Sequence, residues 1–152
     1  MSSRTVSLLT PNRTPSAPQL KQYSFVAATD RSTAYLVTVD AAKLLITTSL
    51  ISTAHASPVR QVAFPARFSD VFATCGAEEI RIWHLASCRE LLRVSLPNLV
   101  CHCIAFNAAG SEVLSGWSDG AVRAFGPQSG KLLYTVSSAH QQAVTAIAGQ
   151  KG

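Results

Sequence analysis

The sequence predicts an all-β protein built of β-propeller blades, about three of them, forming an incomplete propeller. Three observations carry this. Residues 73–84 recur as residues 115–126, a period of 42, with Ile80 matching Val122, Arg81 matching Arg123 and Trp83 matching Phe125. Each unit holds four strand signals separated by turn residues, and a repeat of about 40–45 residues with four strands is the signature of a propeller blade. No stretch shows the 3.6-residue apolar spacing of an amphipathic helix.

Residues 1–22 read as a disordered or extended tail. Pro11, Pro15 and Pro18 sit among Ser, Thr and Asn, and proline blocks both helix continuation and ladder donation. The partial blade 23–54 follows, with strands at Ser24 to Thr29, Ala34 to Val39 and Leu44 to Ser49, the first two joined by the turn Asp30-Arg31-Ser32. The blade 55–96 opens with Val59 to Phe64, whose period-two alternation places Val62 and Phe64 on one face. Strands at Val71 to Cys75, Glu79 to Trp83 and Arg89 to Val94 complete it. The blade 97–138 repeats this order, with turns at Asn107 to Gly110, Ser118 to Gly120 and Pro127 to Gly130 and an outer strand at Lys131 to Val136. Its Val62-Ala63-Phe64 counterpart is Ile104-Ala105-Phe106, and Glu90-Leu91-Leu92 matches Lys131-Leu132-Leu133, one residue short of the period. Residues 139–152 begin a further blade, with a first strand at Ala143 to Ala148. Closed propellers need roughly four to eight blades, because closure removes exposed sheet edges. Closure here therefore requires other blades or a second chain, and the sequence reads as a fragment of a larger propeller.

Bulk properties narrow the function classes. With 47% hydrophobic and 14% charged residues, the chain has the composition of a folded domain. The net charge of +5 favours acidic partners. The cations are scattered, with no stacking aromatics among them, which argues against nucleic acid. No apolar run is long enough to cross a bilayer, and no secretory signal pattern opens the sequence, so neither a membrane role nor a disulfide framework is expected. A Ser/Thr/Arg-rich start also has the composition of a transit peptide, but it lacks an amphipathic Arg face and reads as a solvated tail.

Ala54-His55 and Ala139-His140 before strands, the turn Trp117-Ser118-Asp119-Gly120, and Ile80-Arg81-Ile82-Trp83 resemble the WD-repeat family over about residues 23–148. The resemblance implies a tetrad inside each blade, formed by Trp, a hydroxyl residue, Asp and His. His55 and Trp83 fall at two of these positions in one unit, with Ala77 where the Asp belongs. The next unit has Asp119, but Phe125 replaces the Trp and Pro97 takes the His position. Neither unit is expected to build the whole tetrad. The structural repeat residues are thus His55, Trp83, Asp119, Phe125 and His140. The longer run from Val71 to Val94, with Val122 to Pro127, Gly130 to Tyr134 and Val144 to Ala148, resembles WD-repeat proteins of axonemal doublet microtubules in cilia and flagella.

No catalytic, cofactor or metal site is expected. Cys101-His102-Cys103 looks like a metal cluster, but on a strand His102 points away from the two thiols, which leaves too few ligands for tetrahedral zinc. The same alternation separates thiol from imidazole and argues against a Cys/His nucleophilic pair. Glu78 and Glu79 read as solvated turn carboxylates. The resemblance implies a non-catalytic axonemal scaffold in cilium or flagellum, with tubulin and other axonemal proteins as partners. The candidate contacts are Arg60, Arg67, Arg89, Arg93 and Lys131. The alternative is a general cytosolic WD-repeat adaptor in signalling or protein turnover.

Overall fold

Strands dominate the computed structural model, which describes residues 6–7, 22–51, 55–67 and 70–149. They form three four-stranded antiparallel sheets. Blade A contains β1 (Val6–Ser7), β2 (Gln22–Ala28), β3 (Ala34–Asp40) and β4 (Leu45–Ile51). Blade B contains β5 (Gln61–Ala63), β6 (Val71–Cys75), β7 (Glu79–His84) and β8 (Arg89–Ser95). Blade C contains β9 (Cys101–Phe106), β10 (Val113–Trp117), β11 (Val122–Phe125) and β12 (Leu132–Val136). In each blade the strands pair in chain order. The expected tail contributes the two-residue strand β1, which pairs Val6 with Ala28. Gln22, read as the last residue of the tail, opens β2, and residues 1–5 and 8–21 lie outside the described residues.

The blades pack face to face through two apolar layers. Val26, Ala28, Ala34 and Ile51 of blade A meet Val62, Phe72 and Trp83 of blade B. Ala73, Cys75, Ile80, Ile82 and Val94 of blade B meet Ile104, Phe106, Val113 and Phe125 of blade C. Phe72 stacks between Phe64 and Trp83, at centroid distances of 5.5 and 6.2 Å. Strand alternation explains the division, because consecutive side chains of one strand feed opposite interfaces. Between the inner strands, Gln61 Oε1 accepts a hydrogen bond from the Ile104 N–H at 3.0 Å.

The register corrects two alignments read from the sequence. Phe72 pairs with Trp83, whereas Val113 pairs with Phe125, so Thr74 corresponds to Ser115 and not to Gly116. The cause is the turn between the second and third strands. Blade B closes it from the Gly76 N–H to the Glu79 carbonyl, whereas blade C closes it from Trp117 to Ala121 and is one residue longer. Gly120 supplies a φ of +75° in that longer turn. On the outer strands, Glu90 pairs with Trp83 and Leu132 with Phe125, so the 42-residue offset persists where a shorter one was expected. Both outer pairings carry a bulge at the same place, after Ile82 in blade B and after Ala124 in blade C.

Residues 143–148, expected to form a strand, join no ladder. A blade's first strand pairs with its own second strand, and the described residues contain none for it. The segment is nonetheless fastened to blade C. The His140 N–H donates to the Gly120 carbonyl and the Val144 N–H to the Trp117 carbonyl, at 3.0 and 3.1 Å.

Candidate functional site

The distinctive chemistry of this chain is a polar chain that crosses blade B from core to surface. Trp83, buried on β7, donates its indole N–H to Thr74 Oγ1 at 2.8 Å. Thr74 Oγ1 lies 2.8 Å from His55 Nε2, and His55 Nδ1 lies 2.7 Å from Glu79 Oε1. The last approach is bent from the ring N–H direction, which leaves it mainly electrostatic. Beyond it, Arg81 Nη2 donates to both Glu79 oxygens at 2.9 and 3.0 Å, and Arg81 Nη1 donates to Glu90 Oε2 at 2.7 Å. Arg93 closes the series on Glu90 at 3.1 and 3.2 Å.

Hydrogen-bond direction assigns the protons. The Thr74 oxygen accepts from Trp83, so its own proton serves His55 Nε2 as acceptor. The His55 proton then sits on Nδ1 and faces the Glu79 carboxylate. Burial holds the His55 imidazole below its ordinary pKa, against the opposing pull of Glu79. A neutral ring with Nδ1–H accepts from Thr74 at Nε2 and turns its N–H dipole toward the Glu79 carboxylate. Arg81 is 1% exposed, and its charge is matched by two carboxylates. Burial opposes ionisation of Glu90, but hydrogen bonds from Arg93 and the Arg81 charge prevail and lower its pKa.

Glu79 is the residue that sequence reasoning missed. It was expected to be a solvated turn carboxylate, yet its side chain is 13% exposed and faces His55. It stands two residues beyond Ala77, on β7 and not in the turn, and its extra methylene reaches back to the imidazole. Blade B thus assembles a complete indole–hydroxyl–imidazole–carboxylate series, with Glu in the acidic role.

Blade C solves the same problem differently. Phe125 is buried where blade B has Trp83, and Ala121 stands where blade B has Glu79. The hydroxyl is kept as Ser115, and the indole comes from β10: Trp117 Nε1 donates to Ser115 Oγ at 2.7 Å, and Ser115 donates to the Arg123 carbonyl at 2.9 Å. Asp119 binds Arg123 through both carboxylate oxygens, at 3.0 and 2.5 Å, outside the core. Hydrogen bonding to Arg123 lowers its pKa. Arg123 also lies over the Trp117 ring, at 5.7 Å. His140 is exposed and engages through its backbone.

The candidate contact cations are all exposed. Arg60 precedes β5, Arg67 follows it, Arg89 and Arg93 share β8, and Lys131 precedes β12, so they are spread over two blades. Cys75, Cys101 and Cys103 are buried thiols. Hydrogen bonding to Cys75 and burial push the Cys101 thiol up, away from the reactive thiolate. Among the described residues no group of three His, Cys, Asp or Glu side chains is placed to hold a metal ion, and no helix is long and apolar enough to cross a membrane.

Four-stranded antiparallel blades at a 42-residue spacing, with this polar series inside one of them, are WD-repeat propeller blades. The chain is 62% identical to Cilia- and flagella-associated protein 52 of Chlamydomonas reinhardtii over 99 residues, 65% of this chain and 16% of the relative. It is 41% identical to the Homo sapiens protein of the same name over 126 residues, 83% of this chain and 20% of that relative. It is also 34% identical to WD repeat-containing protein 90 of Mus musculus over 108 residues, 66% of this chain and 6% of the relative. The matched region therefore spans a fifth or less of the length of these relatives. No protein-family model matches the chain.

Proposed function

We propose that this chain is a non-catalytic structural segment of a WD-repeat protein of the cilium or flagellum, acting in the axonemal scaffold on doublet microtubules. The observation that carries this reading is the 62% identity to a cilia- and flagella-associated relative across 99 residues. That identity exceeds the 34% seen with WD repeat-containing protein 90. The chemistry is compatible. His55, Glu79, Arg81 and Glu90 of blade B are engaged in a structural network, and the Cys101 and Cys103 thiols are held protonated. Tubulin and neighbouring axonemal proteins are the proposed partners. Exposed Arg60, Arg67, Arg89, Arg93 and Lys131 offer positive charge to acidic surfaces. Completion of the propeller by further blades or a second chain belongs to the same proposal.

The test is fractionation. An antibody to residues 60–95 is used to blot detergent-extracted axonemes beside cell bodies. A band in the axonemal pellet is expected. A band confined to the soluble cell body overturns the proposal and favours a cytosolic WD-repeat adaptor.

A further inference from the structure

The contact between blades B and C leaves a groove of about 340 Å³ at its outer margin. Val71, Ile82, Leu91 and Leu92 line it from blade B, and Pro127 and Gln128 line it from the turn between β11 and β12. None of these side chains is charged. The bulge after Ile82 shapes the blade B wall. Leu92 pairs with Ile82 and Glu90 with Trp83, so Leu91 is the extra residue and two consecutive leucines reach the groove. Leu91 is 57% exposed.

The same place between blades A and B is built differently. Ser24 stands where blade B has Val71, and Ser49 where it has Leu92. β4 runs along β3 without a bulge, so nothing corresponds to Leu91. Leu85 holds the position of Pro127, 42 residues earlier, and packs into the apolar layer there. The shorter proline leaves that space open between blades B and C. The groove is therefore a property of these residues and not of blade packing in general. Both blades that wall it belong to this chain, and a further blade of a ring adds beyond blade A or blade C, not between B and C.

Charge flanks the groove on both sides. Arg89 and Lys131 hold the same repeat position at the starts of the two outer strands, where blade A has Thr47. Both are exposed, and neither has a carboxylate partner among the described residues. Of the nearby acids, Glu90 is bound by Arg81 and Arg93, and Glu112 accepts from the Tyr134 hydroxyl. Asp70, beside Val71, is exposed. β8 is the outermost strand of its sheet, so an unpaired backbone edge runs along the groove. We propose that this groove binds an extended acidic segment of a partner protein. One large apolar side chain of that segment enters between Leu91 and Pro127, and carboxylates on either side of it meet Arg89 and Lys131. The inference rests on the reading of the chain as a protein-binding segment and not on where the protein resides, so binding and fractionation fail separately.

The probe is a fluorescein-labelled synthetic peptide in which glutamates and serines flank one central phenylalanine. It is titrated with the 152-residue chain and read by anisotropy. Saturable binding is expected, and a peptide with lysine in place of each glutamate does not bind. Leu91→Asp weakens binding about tenfold or more, the loss of one large apolar contact. Arg89→Glu combined with Lys131→Glu weakens it about fivefold and flattens its dependence on salt. Leu50→Asp, at an outer-strand position of blade A that is 60% exposed, leaves binding unchanged. Circular dichroism checks that each variant keeps its strands. Hydrogen exchange in the unsubstituted chain reads the site without any substitution: the peptide protects β8 and residues 126–131. Absence of binding, equal binding of the lysine peptide, full affinity in Leu91→Asp, or protection confined to blade A or to residues 139–149 each overturns the proposal. So does a longer form of the protein in which these amides are already protected and the peptide is excluded, because the protein's own chain then fills the groove.

Discussion

His55 and Glu79 face each other inside blade B, with Nδ1 2.7 Å from Oε1, although the sequence gives neither an aspartate at the expected turn position. Glu79 is shared with Arg81, so one carboxylate holds both the imidazole and a buried guanidinium in place. Replacing it with alanine leaves the buried Arg81 with Glu90 as its remaining carboxylate. Breaking a buried pair from one side costs about 3 kcal/mol. Glu79→Ala is expected to lower the urea midpoint accordingly. Asp119→Ala, which removes an ion pair at the surface of blade C, is expected to change stability by about 0.5 kcal/mol or less. Equal effects would contradict the network.

Thr74→Val keeps the volume and removes the hydroxyl. Trp83 loses its acceptor and His55 loses its donor in one step. An unsatisfied buried polar group costs about 1–3 kcal/mol, so a loss near the upper end is expected. Ser115→Ala strands the buried Trp117 N–H and takes one donor from the Arg123 backbone carbonyl, and it is expected to cost less, about 1–2 kcal/mol. Unfolding followed by tryptophan fluorescence in the two variants measures both.

The pH dependence follows from burial of His55. Its folded pKa is lowered from 6.5, so in the window between the folded value and 6.5 the unfolded chain binds more protons. Stability is full above 6.5 and falls as the pH drops through that window. Burial and the Arg60 charge lower the His102 pKa, so His102 adds a contribution of the same sign. A second decline follows at more acid pH, as Glu90 and Asp119 lose the stabilisation that lowers their pKa values from 4.5 and 3.8. Denaturant midpoints from neutral to mildly acid pH, in the parent and in His55→Gln, test the sign. A midpoint that rises on acidification refutes it.

Gly120 combines a φ of +75° with a crowded surround. A Cβ there would lie 2.1 Å from the His140 carbonyl oxygen, which is backbone and cannot swing aside. Gly120→Ala is expected to cost about 2 kcal/mol and to detach the segment that follows β12. Hydrogen exchange at the Val144 amide, now bonded to Trp117, reads that detachment directly.

Leu44 offers the reverse case. It holds a φ of 51° in the turn before β4 and is 91% exposed. In the matching turns of blades B and C the left-handed residues are Cys88 and Gly130. Leu44→Gly relieves a left-handed conformation that costs a non-glycine residue about 1–2 kcal/mol. A rise in thermal midpoint is expected, and an unchanged or lower midpoint counts against it.

The blade architecture was legible because strand alternation and a fixed repeat are local, additive signals. Residues 71–75, 79–84 and 101–106 announce themselves by their apolar pattern. The register was less legible. A turn with one extra residue shifts the second strand against the repeat, and only pairing reveals that Ser115, not Gly116, carries the hydroxyl. Glu79 was hidden because alignment compares positions, while an imidazole responds to whatever carboxylate reaches it. The indole of Trp117 moved between strands for the same reason: the hydroxyl accepts it from either side. Residues 143–148 have a strand's composition without a partner strand among the described residues, and composition alone does not make a ladder.

The series from Trp83 to Arg93 ties the second, third and fourth strands of blade B together across their width. Blade A places Ala27 and Val37 at the positions of Thr74 and Trp83, and blade C carries a shorter version. Among the described residues, peeling β4 from blade A therefore breaks ladder bonds and apolar contacts and no side-chain ion pair to β3. Peeling β8 also separates Glu90 from a buried guanidinium. Under tension or thermal agitation blade B is therefore expected to be the last of the three described blades to yield, with blades A and C opening first.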